Sequence, residues 1–303
     1  AYGAITRGLE GREITEMGLL SENGAVGFTD GIVAVQNAQV MRRALSYART
    51  FGKVLVQHPE EATLANGAMN GGELATRLGL PGIPAMAEVI LLERDLRLVE
   101  MTGSRYHAAH LSTAEGVRLI RQAKRRGLPV TCDTAPHYFT LNEQAVGHYR
   151  SFAKVSPPLR SEEDRAAVAA GLCDGTIDAI ASDHAPHDQE SKRLPFTVAE
   201  PGIVGLETLL PLSLALFHKG DIGLLDLLRR LSLNPASILG LPSGRLAKGA
   251  AGDLVIFDPD HPWRLDPEAF VSKSKNSPFD NHPVQGKIIR TVVDGRSIFA
   301  AQD

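Results

Sequence analysis

Short apolar runs that end in polar residues alternate with longer amphipathic stretches over the first 240 residues of this chain. Ala25-Val26-Gly27-Phe28 precedes a helical pattern over 39–50, and Lys53-Val54-Leu55-Val56 precedes a long loop and a helix over 84–101. A strand over 106–111 leads to a helix over 113–126, and one over 129–134 leads through a long loop to a helix over 161–174. The run 177–181 leads by another loop to helices over 206–218 and 224–239. Capping signals agree: Thr113 stands ahead of Glu115, Ser161 opens Ser-Glu-Glu-Asp, and Gly127 closes Arg125-Arg126-Gly127.

Alternating strands and helices imply a parallel sheet with helices outside it. Polar residues at nearly every strand end favour a closed (β/α)8 barrel over a doubly wound sheet, whose ligands gather at one switch point. Five predicted strands do not close such a barrel, so about three are expected upstream of Ala1. Residues 1–240 are read as strands 4 to 8 of the barrel, and 241–303 as the C-terminal part of a flanking β-sandwich. That second region has a turn-rich stretch at 244–249 and β-rich runs at 253–259 and 288–295, with 259–283 mostly irregular. No internal repeat stands out.

Composition narrows the function classes. A net charge of −3 gives no electrostatic footprint for nucleic acid or an anionic membrane. Two cysteines, Cys132 and Cys173, exclude a disulfide framework and are read as small apolar packing residues. No run of eighteen apolar residues is present, so no membrane span is expected, nor is there a signal peptide. The first eleven residues read as the middle of a protein, and the whole as a cytoplasmic fragment. No GxGxxG, Walker or GxSxG pattern occurs, against nucleotide binding and a serine hydrolase.

The candidate chemistry lies at four strand ends. Asp30 follows Gly27-Phe28-Thr29, and alone it reads as a turn aspartate. His58 follows Val56-Gln57, and His110 ends His107-Ala108-Ala109-His110. The strand period of two sets His107 and His110 on opposite sides, so His107 is read as packed or as a support. Asp183-His184-Ala185-Pro186-His187 is the strongest local signal. Such groups are costly to bury unless paired or metal-bound, and a carboxylate there can both bind a divalent metal and move a proton. Two imidazoles and two carboxylates suit zinc. His187 is positioned over the pocket for substrate, and the rigid Lys154–Arg160 loop offers Ser156.

These residues resemble those of a class I dihydroorotase of the amidohydrolase superfamily. The resemblance rests on Gly3-Ala4-Ile5-Thr6, Gly27-Phe28-Thr29-Asp30-Gly31, Met69-Asn70-Gly71-Gly72-Glu73 and Ala109-His110-Leu111-Ser112-Thr113. It continues through 154–160, 182–187, 202–207 and Ser272-Lys273-Ser274-Lys275-Asn276-Ser277-Pro278-Phe279. It implies a two-zinc barrel that reversibly cyclises N-carbamoyl-L-aspartate to L-dihydroorotate in pyrimidine synthesis. By position, Asp30 resembles a carboxylate near or bridging the metals, and His58 and His110 the pair on the second metal. Asp183 resembles the ligand that is also general acid/base, while a zinc-activated hydroxide attacks the ring amide. His187 and the backbone at Pro201 and Gly202 resemble substrate contacts.

There are departures. The family's His-x-His and following Arg have no counterpart in these 303 residues. Ser156 stands where many members have Asn, and His58-Pro59-Glu60-Glu61 replaces the commoner His-x-Glu-Asp. The expectation is therefore weak metal binding and little turnover for this chain alone. Aspartate carbamoyltransferase and a second copy of the chain are the candidate partners, beside the small-molecule substrate. The alternatives are a catalytically silent scaffold for aspartate carbamoyltransferase, or another cyclic amidohydrolase such as a hydantoinase or allantoinase. Asp30 argues against the latter, which place a lysine at the bridging position.

Overall fold

In the computed structural model, which describes residues 1–301, the strand–helix alternation folds as an arc of parallel sheet backed by helices. The strands are β1 (Gly27–Phe28), β2 (Val54–Gln57), β3 (Met69–Asn70), β4 (Gly82–Ile83), β5 (Tyr106–Ala108), β6 (Val130–Thr134), β7 (Ala179–Ile180), β8 (Leu254–Arg264), β9 (Pro283–Val293) and β10 (Arg296–Ala300). The helices are α1 (Met17–Glu22), α2 (Ala38–Thr50), α3 (Glu73–Leu78), α4 (Met86–Thr102), α5 (Ala114–Arg125), α6 (Pro136–Thr140), α7 (Glu162–Cys173), α8 (Gln189–Lys192), α9 (Leu209–His218), α10 (Leu224–Leu228) and α11 (Asn234–Leu239).

The principal sheet runs β1-β2-β5-β6-β7, all parallel. Its C-terminal strand ends therefore share one edge, where the polar residues gather. Gly3 extends it beyond β1 through a parallel bridge to Phe28, and His184 bridges Ile203 on the far side. Phe28, Leu55, Tyr106 and Ala108 on the strands, with Leu45, Leu92 and Ile120 on the helices, are fully buried in one continuous core. The helix starts are set as expected: the Thr113 hydroxyl accepts from Gly116 N–H and the Ser161 hydroxyl from Asp164 N–H.

The second region is a three-stranded antiparallel sheet, β10-β9-β8. It departs from expectation in one respect: β8 runs to Arg264, through a stretch read as irregular. Pro259 and Pro262 are tolerated because β8 is an edge strand and its register shifts between Asp258 and Pro262. The long loop after His58 also holds structure that was not expected, the pair β3–β4 and the helix α3. The single helix expected over 224–239 is α10, a π-helical turn over Arg229–Leu233 and then α11. Pro235, which has no N–H for the α-helical ladder, sits just beyond that wider turn.

Candidate active site at the strand ends

Each strand of the principal sheet delivers a polar residue to the same edge. After β5 the chain leaves the sheet sooner than expected, because β5 ends at Ala108 and His110 adopts a left-handed conformation with φ 58°. The period-of-two rule therefore does not carry from His107 to His110, and both imidazoles meet one carboxylate. Asp133, near the end of β6, lies 2.9 Å from His107 Nε2 and 3.0 Å from His110 Nδ1. It also accepts the His110 backbone N–H at 2.7 Å.

With Nδ1 facing Asp133, His110 turns Nε2 toward Asp183, 3.7 Å away. The other Asp183 oxygen is 3.3 Å from Nε2 of His137, a fully buried imidazole on α6 that is not aligned for a hydrogen bond. Asp183 is itself a non-glycine residue with positive φ, 45°. The result is a chain of alternating imidazole and carboxylate: His107, Asp133, His110, Asp183, His137.

The electrostatics follow from that alternation. Burial opposes the charged form of His110, but the Asp133 charge and hydrogen bond, with Asp183 behind, push its pKa up to about 9. Burial likewise opposes ionisation of Asp183. Contact with His137 and the charges of His110, His137 and His58 prevail and hold it below the ordinary carboxylate value. Asp133 is held well below that value against its burial by His110 and His107.

His58, after β2, is buried, and its ring centroid is 6.0 Å from that of His110. Both of its ring nitrogens lack a hydrogen-bond partner, and Glu60 approaches Nε2 no closer than 3.8 Å. Asp30 is also buried but faces elsewhere. Its Oδ1 accepts the backbone N–H groups of Ile5 and Thr6 at 2.8 and 2.9 Å, and its Oδ2 accepts from the Thr6 hydroxyl. No hydrogen bond or ion pair among the described residues joins Asp30 to His58, His110 or Asp183.

The residues read as substrate contacts lie on three loops, before α7, before α8 and after α8. Lys154, two residues before Ser156, accepts the Gly202 N–H through its carbonyl at 2.8 Å. His187 Nε2 lies 2.9 Å from the Pro201 carbonyl. A further buried network backs the His110 loop. Glu88 on α4 accepts the N–H and hydroxyl of both Ser112 and Thr113. Arg160 donates to the Ser112 hydroxyl, to Asn70 and to the Ile83 carbonyl.

Among the described residues no group of three or more His, Cys, Asp or Glu side chains is already arranged to hold a metal ion. The donor chemistry fits one nonetheless. Partnerless buried imidazole nitrogens on His58 and His137 face a cluster centred on an ionised carboxylate, and such atoms are costly without a ligand. Asp133, itself paired with His107, supplies His110 with the carboxylate support that metal-binding imidazoles ordinarily have.

Asp133 and His137 were missed in the sequence, yet a signal was present. Asp133-Thr134-Ala135-Pro136-His137 repeats the Asp-x-Ala-Pro-His pattern of 183–187; the first copy starts at the end of β6 and the second just after β7 of the same sheet.

Comparison with known proteins agrees with this geometry. A family profile described as Dihydro-orotase-like matches residues 1–116. The dihydroorotase of Anaplasma phagocytophilum (strain HZ) is 48% identical over 99% of this chain and 67% of its own length. That of Geobacter sp. (strain M21) is 49% identical over 99% of this chain and 71% of its own. Among solved structures, the L-hydantoinase (dihydropyrimidinase) from Arthrobacter aurescens superposes with a TM-score of 0.84 at 29% identity, covering 98% of this chain and 69% of that one. The dihydropyrimidinase from Brevibacillus agri NCHU1002, at 22% identity and a TM-score of 0.81, shares the fold. Both the parallel sheet with its strand-end cluster and near-complete coverage by these relatives lead to one assignment: the chain belongs to the dihydroorotase family and has the TIM-type barrel fold of the amidohydrolases.

Proposed function

We propose that this protein is a zinc-dependent dihydroorotase, interconverting L-dihydroorotate and N-carbamoyl-L-aspartate in pyrimidine biosynthesis. The observation that carries the reading is the convergence of His58, His110 and His137 on Asp183, in a chain 48% identical to a curated dihydroorotase. His58, His110, Asp183 and Asp30 would hold metal. Two zinc ions so bound would supply Lewis-acid polarisation of the ring carbonyl and a water of lowered pKa.

The protein's own groups do the rest. Asp183, ionised at neutral pH, takes a proton from water as the new C–O bond forms at the ring amide carbon. It returns that proton to the ring nitrogen as the C–N bond breaks, and the reverse sequence closes the ring. Asp133 fixes the His110 ring so that Nε2 faces the centre. Ser156, His187, Pro201 and Gly202 contact the substrate. Cytoplasmic action, and association with aspartate carbamoyltransferase or a second copy of the chain, belong to the same proposal.

The test is turnover of L-dihydroorotate with zinc present and after chelation, with hydantoin and allantoin as controls. Zinc-dependent ring opening of L-dihydroorotate, slow for this chain alone and with neither control consumed, is expected. Preference for hydantoin or allantoin would instead support the other cyclic amidohydrolases.

A further inference from the structure

The segment 200–204, which carries Pro201 and Gly202, is gripped from every side. The Glu200 carbonyl accepts from Lys192 Nζ at 2.6 Å, and the Pro201 carbonyl lies 2.9 Å from His187 Nε2. Gly202 donates to the Lys154 carbonyl at 2.8 Å, and Ile203 accepts from Ala185 N–H at 2.8 Å. Gly202 has φ +132°, and a Cβ there would stand 2.6 Å from the Ala185 Cβ and 2.9 Å from His187 Nε2. Only glycine allows the two strips of chain to lie so close.

One side chain spans both strips. Asn276 is 2% exposed and comes from a loop almost ninety residues beyond His187. Its amide nitrogen donates to the carbonyls of Ala185 at 2.9 Å and Gly202 at 3.1 Å. Its amide oxygen accepts the His187 backbone N–H at 3.3 Å, and its own carbonyl accepts Val204 N–H at 3.1 Å. Both amide donors are thus used, one on each strip, and the oxygen holds the backbone of the residue whose ring meets Pro201.

Lys192 closes the other side. It is wholly buried, and its Nζ donates to the carbonyls of Lys154 at 2.9 Å and Glu200 at 2.6 Å. Among the described residues no carboxylate accepts from it. The charged groups facing it are Lys154 and Glu200, and burial, with the Lys154 charge, lowers its pKa to about 7. A neutral amine has two hydrogens, enough for the two carbonyls.

We propose that Asn276 is a positioning residue that sets the substrate-binding geometry of the His187 and Pro201–Gly202 strips, with Lys192 as its second anchor. It acts through those residues and touches no substrate itself. The inference rests on the reading that His187, Pro201 and Gly202 contact the substrate. Among the described residues no hydrogen bond of the Asn276 or Lys192 side chain reaches Asp183, His110 or Asp133, which meet one another, His107 and His137, so the chemical step is expected to change less than binding.

The experiment uses the zinc-loaded full chain and its N276D, N276A, K192M and H187A variants. Affinity for L-dihydroorotate is measured by calorimetry, with KM, kcat and the thermal unfolding midpoint. N276D keeps the size and the acceptor of Asn276 but turns a carboxylate oxygen toward two carbonyls. It is expected to weaken binding and raise KM about tenfold or more, with kcat within about threefold. K192M is expected to shift binding in the same direction, and it keeps the test open should N276D fail to fold. Loss of binding in H187A with N276D, N276A and K192M all within twofold of the parent would overturn the proposal and leave the substrate reading standing. Unchanged binding in H187A would overturn the substrate reading, and the proposal with it. A fall in thermal midpoint and kcat at constant KM in N276D would reduce Asn276 to a structural role and also overturn it.

Discussion

The two sheets of this protein solve opposite problems. In the parallel sheet, β1, β2, β5 and β7 are buried at every position, and only Thr131 of β6 is not. In the antiparallel sheet no residue of β10 is buried, and Leu254, Val255, Ile256, Ile298 and Phe299 lie open to solvent. The parallel strands have spent their side chains on the core, so their only free chemistry is at the C-terminal edge, where a rigid backbone aims it. The antiparallel strands alternate half-buried and exposed positions along β8 and converge on nothing. The antiparallel sheet leans on the barrel region where Gly286 on β9 packs against Leu214 of α9 and Asp260 of β8 lies 3.3 Å from His218, at the end of α9. Burial of polar groups behind one edge, rather than the presence of a sheet, is what makes a site here.

That contrast can be broken most severely from behind the parallel sheet. Glu88→Ala removes the acceptor for four buried donors of Ser112 and Thr113. It is expected to cost about 3–5 kcal/mol of stability, read by denaturant unfolding. Asp133→Asn comes next. It leaves the fold in place but loosens the His110 ring, and zinc affinity measured by competition is expected to fall about 10–100-fold.

Lys192 gives a smaller and pH-dependent effect. Its folded pKa, about 7, lies below its unfolded value, so the unfolded chain binds more protons between those two values. Stability contributed at this position is therefore lowest below pH 7 and recovers as pH rises toward the unfolded value of about 10.4. Thermal midpoints of the parent should rise relative to K192M over that range. A constant difference would assign the lysine an ordinary pKa. At the weak end, Ile298→Thr on the open face of β10 should change stability by no more than about 0.5 kcal/mol. A large loss there would mean that the antiparallel sheet is as tightly specified as the parallel one.

Much of this was legible in the sequence, for identifiable reasons. Strand–helix alternation and the caps at Thr113 and Ser161 are local signals; the structure returns both caps and the order of the elements, with β1, β5 and β7 shorter than the apolar runs that announce them. His58, His110 and Asp183 stood out because an imidazole or carboxylate at the end of an apolar run is poor core chemistry. What escaped is what depends on distant partners. Glu88 sits inside α4 like any solvated helix residue, and only its meeting with Ser112, twenty-four positions on, reveals its burial. Asn276 lies eighty-nine residues from His187. The course of β8 through two prolines depends on its place at a sheet edge, which no local pattern records. The Asp-x-Ala-Pro-His at 133–137 is different: it is a local pattern, present in the chain itself.

The most direct test is the ring opening of L-dihydroorotate by the zinc-loaded parent and by Asp183→Asn, measured side by side. With Asp183 as the proton carrier at the meeting point of the strand ends, the variant should keep its thermal midpoint and lose about 10²–10⁴-fold in turnover. Equal turnover by the two proteins would contradict a catalytic centre at this edge of the sheet.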